Sequence, residues 1–258
     1  MKATNLKTKE EVVKCFEQLR LPGAKEKYLE LESLPNSGEM TLTEQLGILL
    51  QHELDTRSAK RLERLVRESG LRKNAAFTSA RLESLIDEKE RGFRADEIRR
   101  LASCDWIRQP APPAAIITGA SGTGKTWLVC MIGRCACEQG LAVSYYRFPD
   151  FLERLADAQD HHESASFRKA LSFKKLLIID DLGMGAVSTQ QASEFLSVVE
   201  ARFKFGAMII AGQLDPSEWY GYFGGCHEAE ALTDRLLNYS FQISLKGASL
   251  REREKPTL

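Results

Sequence analysis

The chain has 258 residues, of which 43% are hydrophobic and 28% charged, with 36 basic residues balancing 36 acidic ones. These proportions fit a soluble globular protein with room for two domains, and zero net charge gives no bulk argument for nucleic acid while leaving local patches open. No apolar run approaches the ~20 residues of a membrane helix and no apolar stretch follows the first lysines, so the sequence predicts a cytoplasmic protein with neither membrane span nor secretory signal.

Apolar positions recur at helical spacing over residues 9–20 and 42–69, and Pro35, Asn36, Ser37 and Gly38 mark a turn between them. The second helix is basic towards its end. Arg57, Lys60, Arg61, Arg64, Arg67, Arg72 and Lys73 meet only Glu63 and Glu68, a local excess of five. At ~100° per residue Arg57, Lys60, Arg61, Arg64 and Arg67 share one face, with Leu62, Leu65 and Val66 on the opposite flank. Such a helix can bury one side and offer the other to phosphates, and a solvated basic face accounts for the same pattern. Gln109, Pro110, Ala111, Pro112 and Pro113 cannot continue a helix. This predicts an all-helical domain over 1–102, a linker over 103–113 and a second domain over 114–258.

Five short apolar runs follow, suited to buried parallel strands: 114–118, 142–146, 176–179, 207–211 and 241–245. Helical segments separate them. In one of these, Ala192, Phe195, Leu196, Val199 and Phe203 form an apolar face that Gly206 ends. The fold class predicted is α/β, a doubly wound parallel five-stranded sheet with right-handed crossovers. The six cysteines lack zinc-knuckle spacing, so Cys135 and Cys137 read as buried reduced thiols. His161 and His162 read as a solvated loop.

Gly119, Ala120, Ser121, Gly122, Thr123, Gly124, Lys125 and Thr126 form a phosphate-loop pattern between an apolar strand and the helix expected at 127–138. Glycines let backbone amides turn inward to phosphate oxygens, and the helix start adds partial positive charge. Lys125 supplies a full charge to the β and γ phosphates of ATP, and Thr126 offers a hydroxyl to Mg2+. The run from Leu176 to Ile179 leads into Asp180 and Asp181, placing two acids at a strand end. The first is assigned to the metal and the second to the attacking water. Gln213, after the fourth strand, could sense the γ-phosphate or help hold that water.

Residues from about Leu101 to Arg251 resemble the IstB-like transposition helper ATPases, an AAA+ branch related to bacterial helicase loaders of the DnaC type. The resemblance rests on GASGTGKT, LLIIDDLG, the GQL segment with Trp219 and the glycines after it, TDRLLN and LKGASLR, in that order. It implies that Gln213 is a first sensor, Arg235 a finger reaching a neighbour's nucleotide, and Arg251 a second sensor. Arg235 could instead pair with Asp234 or another carboxylate, and Arg251 could be part of a charged tail. The resemblance also implies ATP-dependent homo-oligomers on duplex DNA, with ATP sites at subunit interfaces and a transposase as partner. Sequence-independent phosphate contacts are expected. Arg168 and Lys169, with Lys174 and Lys175, form a second DNA-facing candidate. Trp127 stands where relatives often carry histidine, next to the loop and among the nucleotide contacts. Asp181 stands where most AAA+ proteins have glutamate, which keeps open a scaffold that binds ATP and hardly hydrolyses it. The AAA+ helical lid is expected to be reduced or absent after Leu245. A helicase loader is the alternative reading, and a small-molecule kinase lacks an acceptor motif.

Overall fold

The computed structural model describes residues 8–34, 40–72 and 92–249; Pro35 to Gly38, Lys73 and Arg251 lie outside them. The chain divides into two compact units, Met1–Arg64 and Leu65–Leu258.

The first unit is helical: α1 (Lys9–Gln18), α2 (Pro22–Ser33) and the larger part of α3 (Leu42–Ser69), which runs on past the division. Thr8 starts α1 with a capping box closed by Glu11. Helix α2 has no capping side chain of its own and opens on Pro22, a residue suited to a first helical position. Its first N–H groups are satisfied from α3 instead. The buried Glu53 carboxylate accepts from Gly23 N at 2.7 Å and Ala24 N at 3.0 Å, and from Arg57 Nε at 2.6 Å. Burial raises the Glu53 pKa, but Arg57 and the two amides outweigh it and hold the group below the usual glutamate range. Gly23 is required by this approach, since a Cβ there would lie 2.5 Å from Thr56 Oγ1. Apolar spacing on α3 does not everywhere mean burial: Leu42, Leu46, Leu50 and Leu54 are exposed.

The second unit holds the sheet. Strands β1 (Ala114–Gly119), β2 (Val143–Arg147), β3 (Leu176–Leu182), β4 (Ala207–Gly212) and β5 (Ser240–Leu245) form one parallel sheet in the order β2-β3-β4-β1-β5. All five predicted runs are strands of this sheet, as the fold class requires. Between β1 and β2 runs a helix, Lys125–Glu138; two more, Phe148–Asp160 and Ser164–Ser172, join β2 to β3, and Thr189–Phe205 joins β3 to β4. The helix His227–Asn238 leads into β5. One face of the sheet, with Ile116, Leu177, Ile179, Met208 and Ile210, packs into a cluster with Phe148, Phe151, Phe195, Trp219 and Leu232. Gly133 of Lys125–Glu138 meets the opposite face at Ile178. Parallel strands covered on both faces need apolar residues at successive positions, which is why the runs are legible. Among the described residues no helix follows β5, and no helix is long and apolar enough to cross a membrane.

The expected division at residues 103–113 is not where the compact units separate. A helix, Ala95–Ser103, and a short 3-10 helix, Asp105–Arg108, occupy this region, with Ile98, Leu101, Trp106 and Ile107 buried. Trp106 donates to Leu101 O at 3.1 Å and meets the Phe241 ring edge-on at 6.2 Å. Proline ends helical structure here, but large apolar side chains around it pack onto the sheet unit, so the break in helix is no break in packing.

All six cysteines are free, and Cys104, Cys130, Cys135 and Cys137 are buried, with burial pushing their thiols up to about 12, 11, 11 and 11. His161 and His162 are exposed, as read from sequence. Arg202, 2% exposed, donates to the carbonyls of Leu171, Lys174, Lys175 and Ala207, tying together three chain segments at one end of the sheet. Burial pulls its pKa down to about 10.

Candidate nucleotide site

The turn after β1 is built by glycine. Gly119, Gly122 and Gly124 have φ of 149°, 84° and 99°, a region that residues with a Cβ avoid. Space demands glycine as well: a Cβ on Gly119 would stand 2.3 Å from Leu245 O, and one on Gly122 would stand 2.1 Å from Ser249 Oγ. The tail of β5 therefore lies against the loop. Lys125 begins the helix, ahead of residue 127, the start expected from sequence. Its side chain is buried and donates from Nζ to Gly119 O at 2.7 Å and Ala120 O at 2.8 Å. Thr123 Oγ1 donates to Ala120 O at 2.9 Å, closing the turn. The loop is thus held in shape by its own lysine, which is the group that would turn to phosphate. Ser121 is exposed, and Ala120, Thr126 and Trp127 lie in or beside the same turn.

The two acids do not end β3. The strand continues through both to Leu182, with a register shift between Ile179 and Leu182 where it pairs with β4, and Asp181 sits at φ 60°. This bulge turns successive carboxylates into different surroundings. Asp180 is fully buried, accepts from Tyr145 Oη at 2.9 Å and from the Asp181 amide at 2.9 Å, and is hydrogen-bonded with the Thr126 side chain. Burial, with the Asp181 charge adding to it, raises its pKa against the lowering effect of those hydrogen bonds. Asp181 is partly exposed and ion-paired: Arg147 Nε lies 2.9 Å from Oδ2, and Arg72 Nη2 lies 4.0 Å from the same atom.

The structure thus brings together Lys125, Thr126, Asp180 and Asp181, from the start of one helix and the far half of one strand. The hydroxyl of Thr126 beside a buried carboxylate is a hard-oxygen donor set that suits Mg2+ better than a softer metal. Tyr145, Arg147 and Arg72 are neighbours of the acids that the sequence alone does not single out. The first two follow from register, since Arg147 pairs with Asp180 across β2 and β3. Arg72 reads in the sequence only as part of the basic run.

Gln213 follows β4 directly, exposed, with its backbone amide donating to Leu182 O at 3.3 Å. Arg235 lies on His227–Asn238, half-exposed, and pairs with Glu200 at 3.2 Å, a carboxylate from another helix rather than Asp234. Arg57, Lys60, Arg61, Arg64 and Arg67 lie along α3, largely open to solvent, and Leu65 is buried. Arg57 also has structural work, bonding Glu53 and donating to Arg20 O at 2.9 Å. Arg168 and Lys169 are exposed on Ser164–Ser172.

Residues 15–257 match the family described as IstB-like ATP binding protein. The chain belongs to that family. A relative in Sinorhizobium fredii, named an insertion sequence ATP-binding protein, is 32% identical over 235 residues, covering 91% of this chain and 93% of the relative. Among solved structures, the replication initiator DnaA bound to AMPPCP and single-stranded DNA superposes with a TM-score of 0.57 at 18% identity, over 70% of this chain and 52% of that one. A DnaC helicase loader superposes with a TM-score of 0.50 at 19% identity, over 59% of this chain and 88% of that one. These two likenesses show that this IstB-like chain shares the fold of those proteins. The family is described as ATP-binding, and the glycine turn with Lys125 is the part of this IstB-like chain whose geometry fits a phosphate.

Proposed function

We propose that this IstB-like chain is an Mg2+-dependent ATPase that oligomerises on duplex DNA and delivers target DNA to a partner transposase, or stimulates it. The observation that carries the ATPase reading is the gathering of Lys125, Thr126, Asp180 and Asp181 at one site, with the fully buried Asp180 hydrogen-bonded with Thr126. In hydrolysis a water oxygen bonds to the γ-phosphorus, the bond to the β–γ bridging oxygen breaks, and ADP and phosphate leave. Lys125 exchanges its two loop carbonyls for phosphate oxygens, and the loop amides and helix start stabilise charge there. Thr126 and Asp180 hold the magnesium ion, while Asp181 and Gln213 orient the water. Arg235 reaches the γ-phosphate of a neighbour, and Arg251 is assigned the part of second sensor. Ala120, Ser121, Thr123 and Trp127 complete the cradle.

The basic face of α3 supports phosphate contacts with duplex DNA, joined by Arg168 and Lys169. The insertion-sequence relative favours a transposase as partner over a helicase. Helicase loading draws support only from the likeness in fold to a DnaC loader. Residues 1–102, functionally, would be the DNA- and partner-binding part.

The test separates binding from chemistry. Asp181→Asn should retain ATP and Mg2+ yet lose phosphate release, whereas Asp180→Asn should weaken the dependence on Mg2+. Normal hydrolysis by both variants would contradict the assignment.

A further inference from the structure

Two consecutive tyrosines on β2 face opposite ways. Tyr146 packs its ring against Phe151 at 5.2 Å and Phe167 at 6.4 Å, on the side of the aromatic cluster. Tyr145, 8% exposed, lies on the other face, and its Oη donates to Oδ2 of Asp180 at 2.9 Å. Register explains the reach. Arg147 stands opposite Asp180 and Tyr145 opposite Ile178, so Tyr145 and Asp180 are diagonal neighbours across two parallel strands. A hydroxyl at the far end of an aromatic ring spans that diagonal, where the hydroxyl of serine or threonine would fall short.

What the hydroxyl adds is orientation. A carboxylate can turn about its broad last torsion, and a fully buried one such as Asp180 needs donors on its oxygens. Asp180 Oδ1 accepts from the Asp181 amide at 2.9 Å, a bond between neighbours in the chain. Tyr145 takes the other oxygen, from a different strand. One donor on each oxygen fixes the plane of the group. A carboxylate offers about four lone-pair sites. Sites therefore remain for the Thr126 side chain, hydrogen-bonded with the same acid, and for a cation beside it. Phenylalanine at position 145 would fill the same space and leave Oδ2 without this donor.

We propose that Tyr145 is a positioning residue: its hydroxyl holds the Asp180 carboxylate in the orientation in which Asp180 and Thr126 take up the magnesium ion. This deepens the reading of Asp180 and Thr126 as the metal-holding pair and rests on it. Tyr145 is assigned no contact with nucleotide or metal, so its effect runs through Asp180 and lies in the dependence on Mg2+ rather than in the phosphate loop.

The experiment titrates a fluorescent ATP analogue into full-length wild type, Tyr145→Phe and Tyr146→Phe, at stepped Mg2+ concentrations and in excess EDTA. In Tyr145→Phe the Mg2+ concentration giving half the gain in affinity should rise about ten- to a hundredfold, the usual cost of removing the hydrogen-bond partner of a metal-holding carboxylate, while affinity in EDTA stays within about twofold of wild type. Tyr146→Phe should match wild type in both. In an Asp180→Asn background Tyr145→Phe should add no further shift, because the two changes act through one carboxylate. An unchanged Mg2+ midpoint in Tyr145→Phe would overturn the proposal. So would an equal loss of affinity with Mg2+ and in EDTA, which is what damage to packing alone would give, or a shift that persists at full size in the Asp180→Asn background. A wild type whose affinity for the analogue does not respond to Mg2+ would overturn the parent reading of the metal site instead, and the proposal with it.

Discussion

In the phosphate loop the binding chemistry is laid down in the backbone: Gly119, Gly122 and Gly124 take positive φ, and β5 with the residues after it fills the space a side chain would need. On α3 the corresponding positive charge is carried by exposed side chains, Lys60, Arg64 and Arg67 among them, on a helix whose backbone would form without them. Both regions are proposed to meet the same chemical class, phosphate oxygens, and by opposite means. A backbone cradle tolerates almost no substitution, whereas a charged face releases its partner one phosphate at a time. Arg235 is an intermediate case: a single half-exposed side chain, paired within its own chain to Glu200, to which a role as decisive as the loop's is assigned.

That intermediate case carries the largest expected effect. If Arg235 acts on a neighbour's nucleotide, Arg235→Ala and Lys125→Ala proteins should each be nearly inactive, since such a finger is worth about 10³ to 10⁵ in rate. Their mixture on DNA should recover turnover wherever an intact Lys125 site meets an intact Arg235. No recovery in mixtures shown to co-assemble would place Arg235 with the graded, exposed charges and leave the Glu200 pair as its role.

The rigidity of the loop is sharpened by comparing two glycines with the same φ of 84°. Gly122→Ala meets both backbone strain and Ser249, while Gly185→Ala meets strain with nothing within 4 Å. Strain alone costs about 1–2 kcal/mol. ATP affinity, measured by titration, should fall about tenfold or more in Gly122→Ala and stay near wild type in Gly185→Ala. Equal affinities in all three proteins would mean that the loop yields as readily as a surface turn.

On α3 the effect should be additive and salt-dependent. Changing Lys60, Arg64 and Arg67 together to alanine should lower duplex affinity and reduce the slope of log K against log salt by ~0.9 for each phosphate no longer neutralised. Arg57 is better left in place, because it bonds Glu53, which caps α2. A triple variant with the wild-type salt slope would return this face to solvent.

The same contrast explains what the sequence discloses. Strand runs such as Leu176 to Ile179 are legible because a parallel sheet covered on both faces leaves apolar residues unbroken along the chain. Gly119 to Thr126 is legible because backbone conformation constrains residue type. The linker expected at 103–113 fails as a boundary for a physical reason: Pro110, Pro112 and Pro113 report a local break in helix, while Trp106 and Ile107 report packing, and packing decides where a compact unit ends. Helix α2 is hidden because its N-terminus is capped by Glu53, far along the chain on another helix. The bulge at Asp181 and its two arginines have no sequence signal, since they depend on how β2 and β3 align and on where α3 ends.

The central claim is that Gly119 to Thr126 holds ATP through its backbone and Lys125. Equilibrium titration of a fluorescent ATP analogue with Mg2+ into wild type and Lys125→Ala tests it most directly. Lys125→Ala removes the buried ammonium group together with its hydrogen bonds to Gly119 O and Ala120 O, so affinity should fall about ten- to a hundredfold, the worth of a charge-assisted hydrogen bond, and thermal stability without nucleotide should fall modestly as the loop loses those bonds. Equal affinity in the two proteins would contradict the account.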